Sequence, residues 1–357
     1  MRKKLTIFLL FALLLGLGSG MLLGHRQRSD SERRALTQWP SLTWSGLASG
    51  SFESVAQDAA ADQFPFRESF RQLKAFSAYR LFGKLENNGF LVTSGTPHVI
   101  YKKEQADPGA AKWNLDILSA LAGQAQAAGC TVRSALIPTK YHYYPGIRTE
   151  DGYGELEAAL KAALPESVYC PTQALFTAGD YYNTDPHLRL AGIEKLYAAL
   201  IPEADEAEAT GTYSGFRGAY WGQSAYPLGK GDEEQLCWDE SPELENAEVR
   251  DLVAGEALGL YDREALDTAD PYSFYLYGSR ALLEIRNPGS STDRSLLLFR
   301  DSYGSALAPE LARTYRSVIL VDLRYVSWKQ LDQFVTFSGQ DVLFLTSALT
   351  LASVRYK

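Results

Sequence analysis

The stretch LLLFRDSYG, residues 296–304, is the part of the sequence that decides the fold. Its four apolar residues predict a strand that ends in a tight turn with Ser302 at the tip, and a helix follows at once. In open α/β sheets, ligands bind at the carboxyl ends of the strands. Ser302 would also have the amides of the helix start around it, which is an arrangement that stabilises an oxyanion. The alternative is a plain helix N-cap, in which Asp301 or Ser302 satisfies those amides and does nothing else.

The alternation of short apolar strands with helices extends on both sides of this stretch. Strands are predicted over 131–137, 167–170, 295–299, 317–321 and 342–345, and helices over 112–128, 155–163, 189–200, 303–315 and near 328–337. Short all-apolar strands between helices are typical of a mainly parallel sheet that is covered on both faces. The sequence therefore predicts an α/β domain over residues 111–357.

The N-terminus predicts a membrane segment over residues 1–24. Arg2, Lys3 and Lys4 precede an uncharged run of about 20 residues, which as a helix would span a bilayer. A buried core helix is disfavoured because the run follows a cationic cap and is succeeded at once by the polar residues 25–28. We expect an uncleaved anchor; the alternative is a cleaved signal peptide, since residues 18–20 are small. Either way, residues 25–357 are expected outside the cytoplasm.

Residues 25–110 are expected to form a stalk and an N-terminal helical region. The first half is polar, and residues 52–82 follow helical spacing with an interruption at 64–67. A turn at 87–89 then precedes a short strand, 90–93. Further along, residues 203–280 break the α/β rhythm with glycines, tyrosines and acidic residues. We interpret that segment as an insertion between the two halves of the α/β domain.

The net charge of −8 is unevenly distributed along the 357 residues. Between residues 232 and 270 there are fourteen acidic side chains and two basic ones, so this segment contributes −12 and the remainder about +4. The overall sign argues against nucleic-acid binding, which depends on clustered lysines and arginines. If the acidic insertion lies near Ser302, it would favour a neutral or amino-bearing ligand over a polyanionic one.

The three cysteines predict neither a metal site nor an extensive disulfide framework. Cys130, Cys170 and Cys237 lack metal-type spacing, and three cysteines permit at most one disulfide within the chain. A bridge between Cys130 and Cys170 is the open alternative. The role of ordinary apolar cysteines is favoured, because both lie beside predicted buried strands. We predict no metal and no cofactor.

A second feature that suggests catalysis is the stretch YYNTDPHL, residues 181–188. Asp185 lies two residues before His187 at the start of a predicted helix. In a turn, this spacing lets the carboxylate reach Nδ1 of the imidazole and fix its tautomer, which leaves Nε2 free to take a proton from a hydroxyl. The alternative is again capping, with Asp185 at the helix start and His187 incidentally exposed.

Five short stretches in order carry a resemblance to a known family. They are DQFPFR (62–67), YNTDPH (182–187), the segment 274–285, LLLFRDSYG (296–304) and VDLRY (321–325). The sequence resembles the extracytoplasmic, SGNH-hydrolase-like proteins named after an Asp-His-His-Trp (DHHW) motif, which are related to the proteins that O-acetylate alginate. The resemblance implies a three-layer α/β fold with Asp185, His187 and Ser302 as a catalytic triad.

The resemblance also implies a reaction and partners. The reaction is acyl transfer through an acyl-serine, to water or to a sugar hydroxyl of a cell-surface polysaccharide, beside a membrane-bound O-acyltransferase that supplies the acyl group. Candidates for oxyanion or substrate binding are Gly304, Arg324, Tyr141 and Tyr303; the flat ring of Tyr141 could stack on a sugar or serve as packing. This sequence departs from the family where Pro186 and Leu188 replace the first His and the Trp of the motif.

Two hypotheses about function follow from these features. The first is a membrane-anchored O-acetyltransferase or O-acetylesterase that acts on a cell-surface glycan. The second is a non-catalytic scaffold or glycan-binding protein that keeps the fold and uses the acidic insertion for partners. Inertness to esters and to a serine-directed fluorophosphonate, together with binding of polysaccharide, would favour the second.

Overall fold

The computed structural model describes residues 2–95, 97–103, 106–145, 152–202, 210–227 and 232–357. The chain divides into two units, one of residues 1–88 with 221–229 and the other of residues 89–220 with 230–357. The second unit therefore contains the strand–turn–helix stretch 296–304 and the Asp-x-His stretch 181–188.

The first unit is mainly helical. In chain order its elements are α1 (Arg2–Leu22), β1 (Arg28–Ser29), β2 (Arg34–Ala35), α2 (Trp44–Ser49), α3 (Ser51–Asp62), α4 (Arg67–Phe76), a π-helical turn (Ser77–Leu81) and β3 (Glu86–Asn87). Helix α1 is long and apolar enough to cross a membrane: the stretch Lys3–Leu22 has a mean hydropathy of 2.3, and none of its most apolar part is buried. This agrees with the predicted membrane segment.

The polar segment after α1 is held onto the end of α3 by two buried residues of the DQFPFR stretch. Asp62 accepts hydrogen bonds from the Arg34 guanidinium and from the Thr37 amide, both at 2.8 Å to Oδ2. Gln63 donates to the carbonyls of Arg26 and Thr37 at 2.9 and 3.0 Å. These contacts order the part of the chain that the sequence suggested as a stalk.

The second unit carries the α/β fold. In chain order its elements are β4 (Phe90–Val92), β5 (Ile100–Lys102), α5 (Pro108–Ala127), β6 (Thr131–Ile137), α6 (Tyr153–Ala163), β7 (Val168–Cys170), α7 (Leu190–Leu200), β8 (Thr210–Phe216), the start of α8 (Ala219–Ser224), β9 (Glu234–Asp239), β10 (Glu248–Asp251), β11 (Ala257–Leu258), β12 (Leu282–Arg286), β13 (Ser295–Phe299), α9 (Tyr303–Thr314), β14 (Ser317–Val321), β15 (Asp341–Ser347) and α10 (Ala348–Ser353). Most of α8, from Trp221 on, belongs to the first unit. The helix predicted near 328–337 is a 3₁₀ segment, Trp328–Gln333.

Eight of these strands form one sheet in the order β11-β10-β12-β14-β13-β15-β6-β7. The five strands from β14 to β7 run parallel, and β12, β10 and β11 extend the other edge with antiparallel pairing. Strand β13 pairs with β14 on one side and β15 on the other, so the turn after Phe299 lies at the carboxyl edge of the parallel part. The mainly parallel α/β fold predicted from the sequence is confirmed.

Two hydrophobic cores cover the two faces of this sheet, as the alternation of side chains in a strand requires. On β13, Leu296 and Leu298 pack on the face that α7 and α9 cover, whereas Leu297 and Phe299 pack on the face that α5 and α6 cover. Because both faces are buried, the strand is uninterrupted apolar sequence from Leu296 to Phe299.

The acidic segment contributes strands to the packed domain, while most of its acidic side chains reach solvent. Strands β10 and β11 join the central sheet, and β8 pairs with β9 in an antiparallel hairpin. Glu234, Asp239 and Asp251 of this segment are buried. The cysteines are free thiols, with Cys130 buried and Cys170 and Cys237 half-buried.

Candidate active site

Ser302 follows β13 directly and lies at the start of α9. Its backbone is already helical, with φ −62° and ψ −21°, and its side chain makes no capping hydrogen bond. The hydroxyl instead lies 2.9 Å from Nε2 of His187, which is 115 residues away in the sequence. The Ser302 side chain therefore faces the imidazole, and the N-cap alternative does not describe it.

The capping role falls to Asp301. Its Oδ1 accepts a hydrogen bond from the Tyr303 amide at 3.0 Å. Its Oδ2 accepts from the amide and the hydroxyl of Ser347, at 2.8 and 2.6 Å, at the end of β15. The buried Asp301 carboxylate thus fixes the serine turn to the neighbouring parallel strand.

Asp185 and His187 form the second half of the site. Asp185 is fully buried, and its Oδ1 lies 2.5 Å from Nδ1 of His187 and accepts the His187 amide at 3.1 Å. Its Oδ2 accepts the Ala219 amide at 2.7 Å. With a carboxylate at Nδ1, the neutral ring keeps its proton on that nitrogen, and Nε2 is free to accept the proton of Ser302. The structure thus brings Asp185, His187 and Ser302 into one hydrogen-bonded series.

The imidazole is held between two tyrosine rings. Tyr272, from the 3₁₀ segment Pro271–Phe274, stacks on His187 with ring centres 3.8 Å apart and planes 5° from parallel. The Tyr303 ring lies 5.0 Å from His187, and its hydroxyl donates to the Pro186 carbonyl at 2.8 Å. Tyr303 therefore links the helix that follows the serine to the turn that carries the histidine.

A buried lysine holds the carbonyl side of this turn. The Lys140 ammonium donates to the carbonyls of Tyr182, Asn183 and Asp185 at 2.8, 2.9 and 3.0 Å. Burial lowers the pKa of Lys140 to about 7, although the charges of Glu234 and Asp185 oppose that change. Lys140 was not predicted as a site residue, because the acceptors it meets lie more than forty positions away.

A buried glutamate holds the amide side of the same turn. Glu234 accepts hydrogen bonds from the amides of Asn183 and Thr184 at 2.7 and 2.8 Å and from the Thr184 hydroxyl at 2.8 Å. It also pairs with Arg189. The turn before His187 is therefore fixed on both sides by buried charged groups, Lys140 and Glu234.

Gly218 allows a loop to lie against Asp185. A Cβ at position 218 would lie 2.3 Å from Cβ of Asp185 and 2.4 Å from the Thr184 carbonyl oxygen, closer than atoms can approach. The Gly218 amide donates to the Thr184 hydroxyl at 2.9 Å, and the next amide, that of Ala219, reaches Asp185. Glycine is therefore the residue that lets the loop supply this hydrogen bond.

Arg324, Gly304 and Tyr141, which were predicted to bind substrate or an oxyanion, each contact another residue of the protein. Arg324 forms two hydrogen bonds with Asp322, at 2.9 and 2.7 Å. The Gly304 amide donates to the Asp301 carbonyl at 3.1 Å. Tyr141 is buried in the 3₁₀ segment Lys140–Tyr143 and stacks on Tyr144, with ring centres 6.3 Å apart. Substrate roles for Arg324, Gly304, Tyr141 and Tyr303 stay predictions.

The Ser302 amide is a further donor at the site. Among the described residues, it has no hydrogen-bond acceptor, whereas the Tyr303 and Gly304 amides are both occupied by Asp301. An unoccupied amide next to a nucleophilic hydroxyl is the type of donor that stabilises an oxyanion. In the described part of the chain, no group of three or more His, Cys, Asp or Glu side chains is arranged to hold a metal ion.

Solved structures with a similar fold are known. A DHHW family protein from Eubacterium siraeum superimposes with a TM-score of 0.60 at 17% sequence identity, over 75% of this chain and 93% of that protein. PatB1 from Bacillus cereus gives a TM-score of 0.56 at 16% identity, over 75% of this chain and 100% of PatB1. PatB1 with a sulfonyl adduct gives 0.55 at 15% identity, over 75% of this chain and 98% of that one.

The chain has the fold of these proteins. The predicted resemblance to the SGNH-like DHHW proteins is therefore confirmed at the level of the fold. No protein-family model matches the sequence, and no curated protein matches it either.

Proposed function

We propose that this protein is a membrane-anchored acyl-ester enzyme with Ser302 as nucleophile, His187 as general base and Asp185 as the residue that orients the base. It acts as an O-acetyltransferase or O-acetylesterase on a cell-surface polysaccharide, on the extracytoplasmic side of the membrane. The observation that carries the proposal is the continuous series Asp185 Oδ1–His187 Nδ1 (2.5 Å) and His187 Nε2–Ser302 Oγ (2.9 Å).

The first half of the reaction forms an acyl-serine. Ser302 Oγ attacks the ester carbonyl carbon while its proton passes to Nε2 of His187, and the Ser302 amide donates to the developing oxyanion. The tetrahedral intermediate then collapses with cleavage of the carbon–oxygen bond to the leaving alcohol. That alcohol receives the proton from His187, so the histidine returns to its neutral form.

The second half transfers the acyl group. Water or a sugar hydroxyl gives a proton to His187 and attacks the acyl carbon; collapse of this intermediate releases Ser302, which regains a proton from His187. Water as the acceptor makes the reaction hydrolysis, and a sugar hydroxyl makes it O-acetylation. In the second case a membrane-bound O-acyltransferase is the proposed source of the acyl group.

The place of Tyr272 in the sequence, next to the acidic segment, favours a neutral or amino-sugar glycan over a polyanionic one. Tyr272, which stacks on the imidazole, follows directly after the acidic segment 232–270. Glu264, Asp267 and Asp270 of that segment lie within eight residues of Tyr272. If these carboxylates also lie near the site in space, their negative charges disfavour the approach of an acidic polymer.

The test of the proposal is the Ser302→Ala substitution in the full chain. We expect release of nitrophenol from an acetyl ester to fall at least about a thousandfold, because the nucleophile is lost. Ser295→Ala is the matched control, since Ser295 is exposed at the other end of the same strand. Equal turnover by wild-type and Ser302→Ala proteins would contradict the proposal. A wild-type protein that is inert to esters and to a fluorophosphonate, yet binds polysaccharide, would favour the glycan-binding alternative.

A further inference from the structure

One face of helix α4 and of the turn that follows it exposes an unusual number of large apolar side chains. Phe66, at the N-cap, is 71% exposed, and Phe70, Leu73 and Phe76 are 50%, 59% and 45% exposed. In the π-helical turn and directly after it, Leu81 and Phe82 are 66% and 73% exposed. We call these six residues the α4 apolar face. Large apolar side chains that are exposed one turn apart, as at positions 66, 70 and 73, mark an interaction site.

The α4 apolar face begins beside the end of helix α1. Pro65 packs so closely on α1 that a Cβ at Gly20 would lie 2.8 Å from Pro65 Cγ. The Arg26 amide and guanidinium donate to Gln63 Oε1 and to the Phe64 carbonyl, at 3.0 and 2.9 Å. The first exposed residue of the face, Phe66, is therefore one position from a contact with the last turn of α1.

This contact between Pro65 and α1 fixes the level, relative to a bilayer that α1 spans, at which α4 begins. Helix α1 has 21 residues, which at 1.5 Å per residue gives about 31 Å, close to the thickness of a bilayer hydrocarbon core. If α1 spans a bilayer, its last turn lies at the boundary between hydrocarbon and headgroups. Pro65 and Phe66 must then lie at that boundary too.

We propose that the α4 apolar face lies in the interfacial layer of the phospholipid bilayer that α1 spans. The proposal rests on the anchoring part of the proposed function and goes beyond it, because it makes α4 a second membrane contact. Helices that carry Phe and Leu on one side and basic residues on the other lie in that layer.

The charges around the face match a membrane with anionic lipids. Between residues 66 and 84 there are five basic residues and one acidic residue, and two of the basic residues, Arg67 and Arg71, pair with Glu32 and Glu68. Lys74, Arg80 and Lys84 are exposed along this segment. Basic side chains next to an apolar face bind anionic headgroups.

The experiment uses the full chain in nanodiscs of phosphatidylcholine and phosphatidylglycerol. A photoreactive benzoyl-phenylalanine replaces Phe70 or Leu73, and Val253 in the control, which is 58% exposed in the other unit. We expect lipid adducts from positions 70 and 73 and none above background from position 253. Absence of lipid adducts at 70 and 73, or adducts there to a second copy of the chain, would overturn the proposal.

Ester hydrolysis in the same samples keeps this result separate from the proposed reaction. Phe70 and Leu73 take no part in the site around Ser302, so their replacement should leave turnover of a soluble acetyl ester unchanged. Unchanged turnover shows that the variant protein is folded. Intact turnover without lipid adducts removes the membrane contact alone. If wild-type protein and the variants all lack turnover, lipid adducts at 70 and 73 with none at 253 support the membrane contact and remove the proposed reaction alone.

Discussion

The substitution Asp185→Asn changes the hydrogen-bonding character of one buried group while it preserves the shape of the side chain. Among the described residues, at least three N–H groups point at this carboxylate: the His187 amide and the His187 ring nitrogen Nδ1 at Oδ1, and the Ala219 amide at Oδ2. An ionised carboxylate accepts all three hydrogen bonds. An asparagine has one oxygen and one NH₂ group, so it cannot accept on both sides.

Both orientations of the asparagine place donors against each other. If its oxygen faces His187, its NH₂ group meets the Ala219 N–H at about 2.7 Å. If its oxygen faces Ala219, its NH₂ group meets the His187 backbone N–H and forces Nδ1 to become an acceptor. The proton then moves to Nε2, which can no longer accept from Ser302. We expect a stability cost of about 1–3 kcal/mol for the buried unpaired group.

The expected effect on catalysis is larger than the effect on folding. Loss of the correct tautomer lowers kcat by about four orders of magnitude in a serine protease triad, or about 5 kcal/mol of transition-state stabilisation. The assay is nitrophenol release from an acetyl ester by the full chain, with urea unfolding measured in parallel. A variant within about tenfold of wild-type kcat would refute the role of Asp185 in orienting His187.

Asp180→Asn is the matched control for this experiment. Asp180 is also buried and accepts hydrogen bonds from the Thr177 amide and hydroxyl, at 2.7 and 2.9 Å, beside Lys195. It does not bind His187. The control should therefore lose stability by a similar amount and keep its kcat. A comparable loss of turnover in both variants would indicate a general structural effect.

Two further predictions concern buried ionisable side chains. Lys140→Met should lower kcat about tenfold, because the turn before His187 loses its support. The free energy of unfolding should change by less than about 2 kcal/mol, because an ammonium group no longer has to be buried and this gain offsets the lost hydrogen bonds. Unchanged kcat, or a loss no larger than the loss of folded protein, would contradict it. Burial and the nearby Asp239 raise the pKa of Glu310 to about 9 from 4.5. Between these two pKa values the folded protein keeps a proton on Glu310 that the unfolded chain releases. The free energy of unfolding therefore falls as the pH rises through this range. Glu310→Gln should reduce that fall by a few kcal/mol, on the order expected from linkage. Urea unfolding of both proteins at about pH 5 and 8.5 measures the difference. The same pH dependence of unfolding free energy in wild-type and variant protein would contradict the prediction.

Much of the fold could be predicted from the sequence because its signals are local. Uninterrupted apolar runs such as 295–299 and 317–321 predict strands buried on both faces, and the boundaries of both agree with the structure. The uncharged run after Lys4 predicts the membrane-length helix in the same way. Each of these features depends on residues within about 20 positions of each other.

The candidate site could be predicted in parts and not as a whole. Asp185 and His187 are two positions apart, so their contact follows from a local turn. The sequence left open whether Ser302 caps a helix or faces a base, because that choice depends on Asp301 reaching Ser347 and on His187 arriving from 115 residues away. Such contacts depend on which strands become neighbours, and no local pattern encodes them.

The sequence by itself determined the strand and helix pattern, the membrane-length apolar segment and the residues of the Asp-x-His and serine turns. The tertiary structure alone decided that these two turns meet, that Lys140 and Glu234 hold one of them, and that the acidic segment contributes strands to the central sheet. The physical reason is that side-chain periodicity reports burial within one element. The partner of each buried charge is fixed by packing between elements that are distant in the chain.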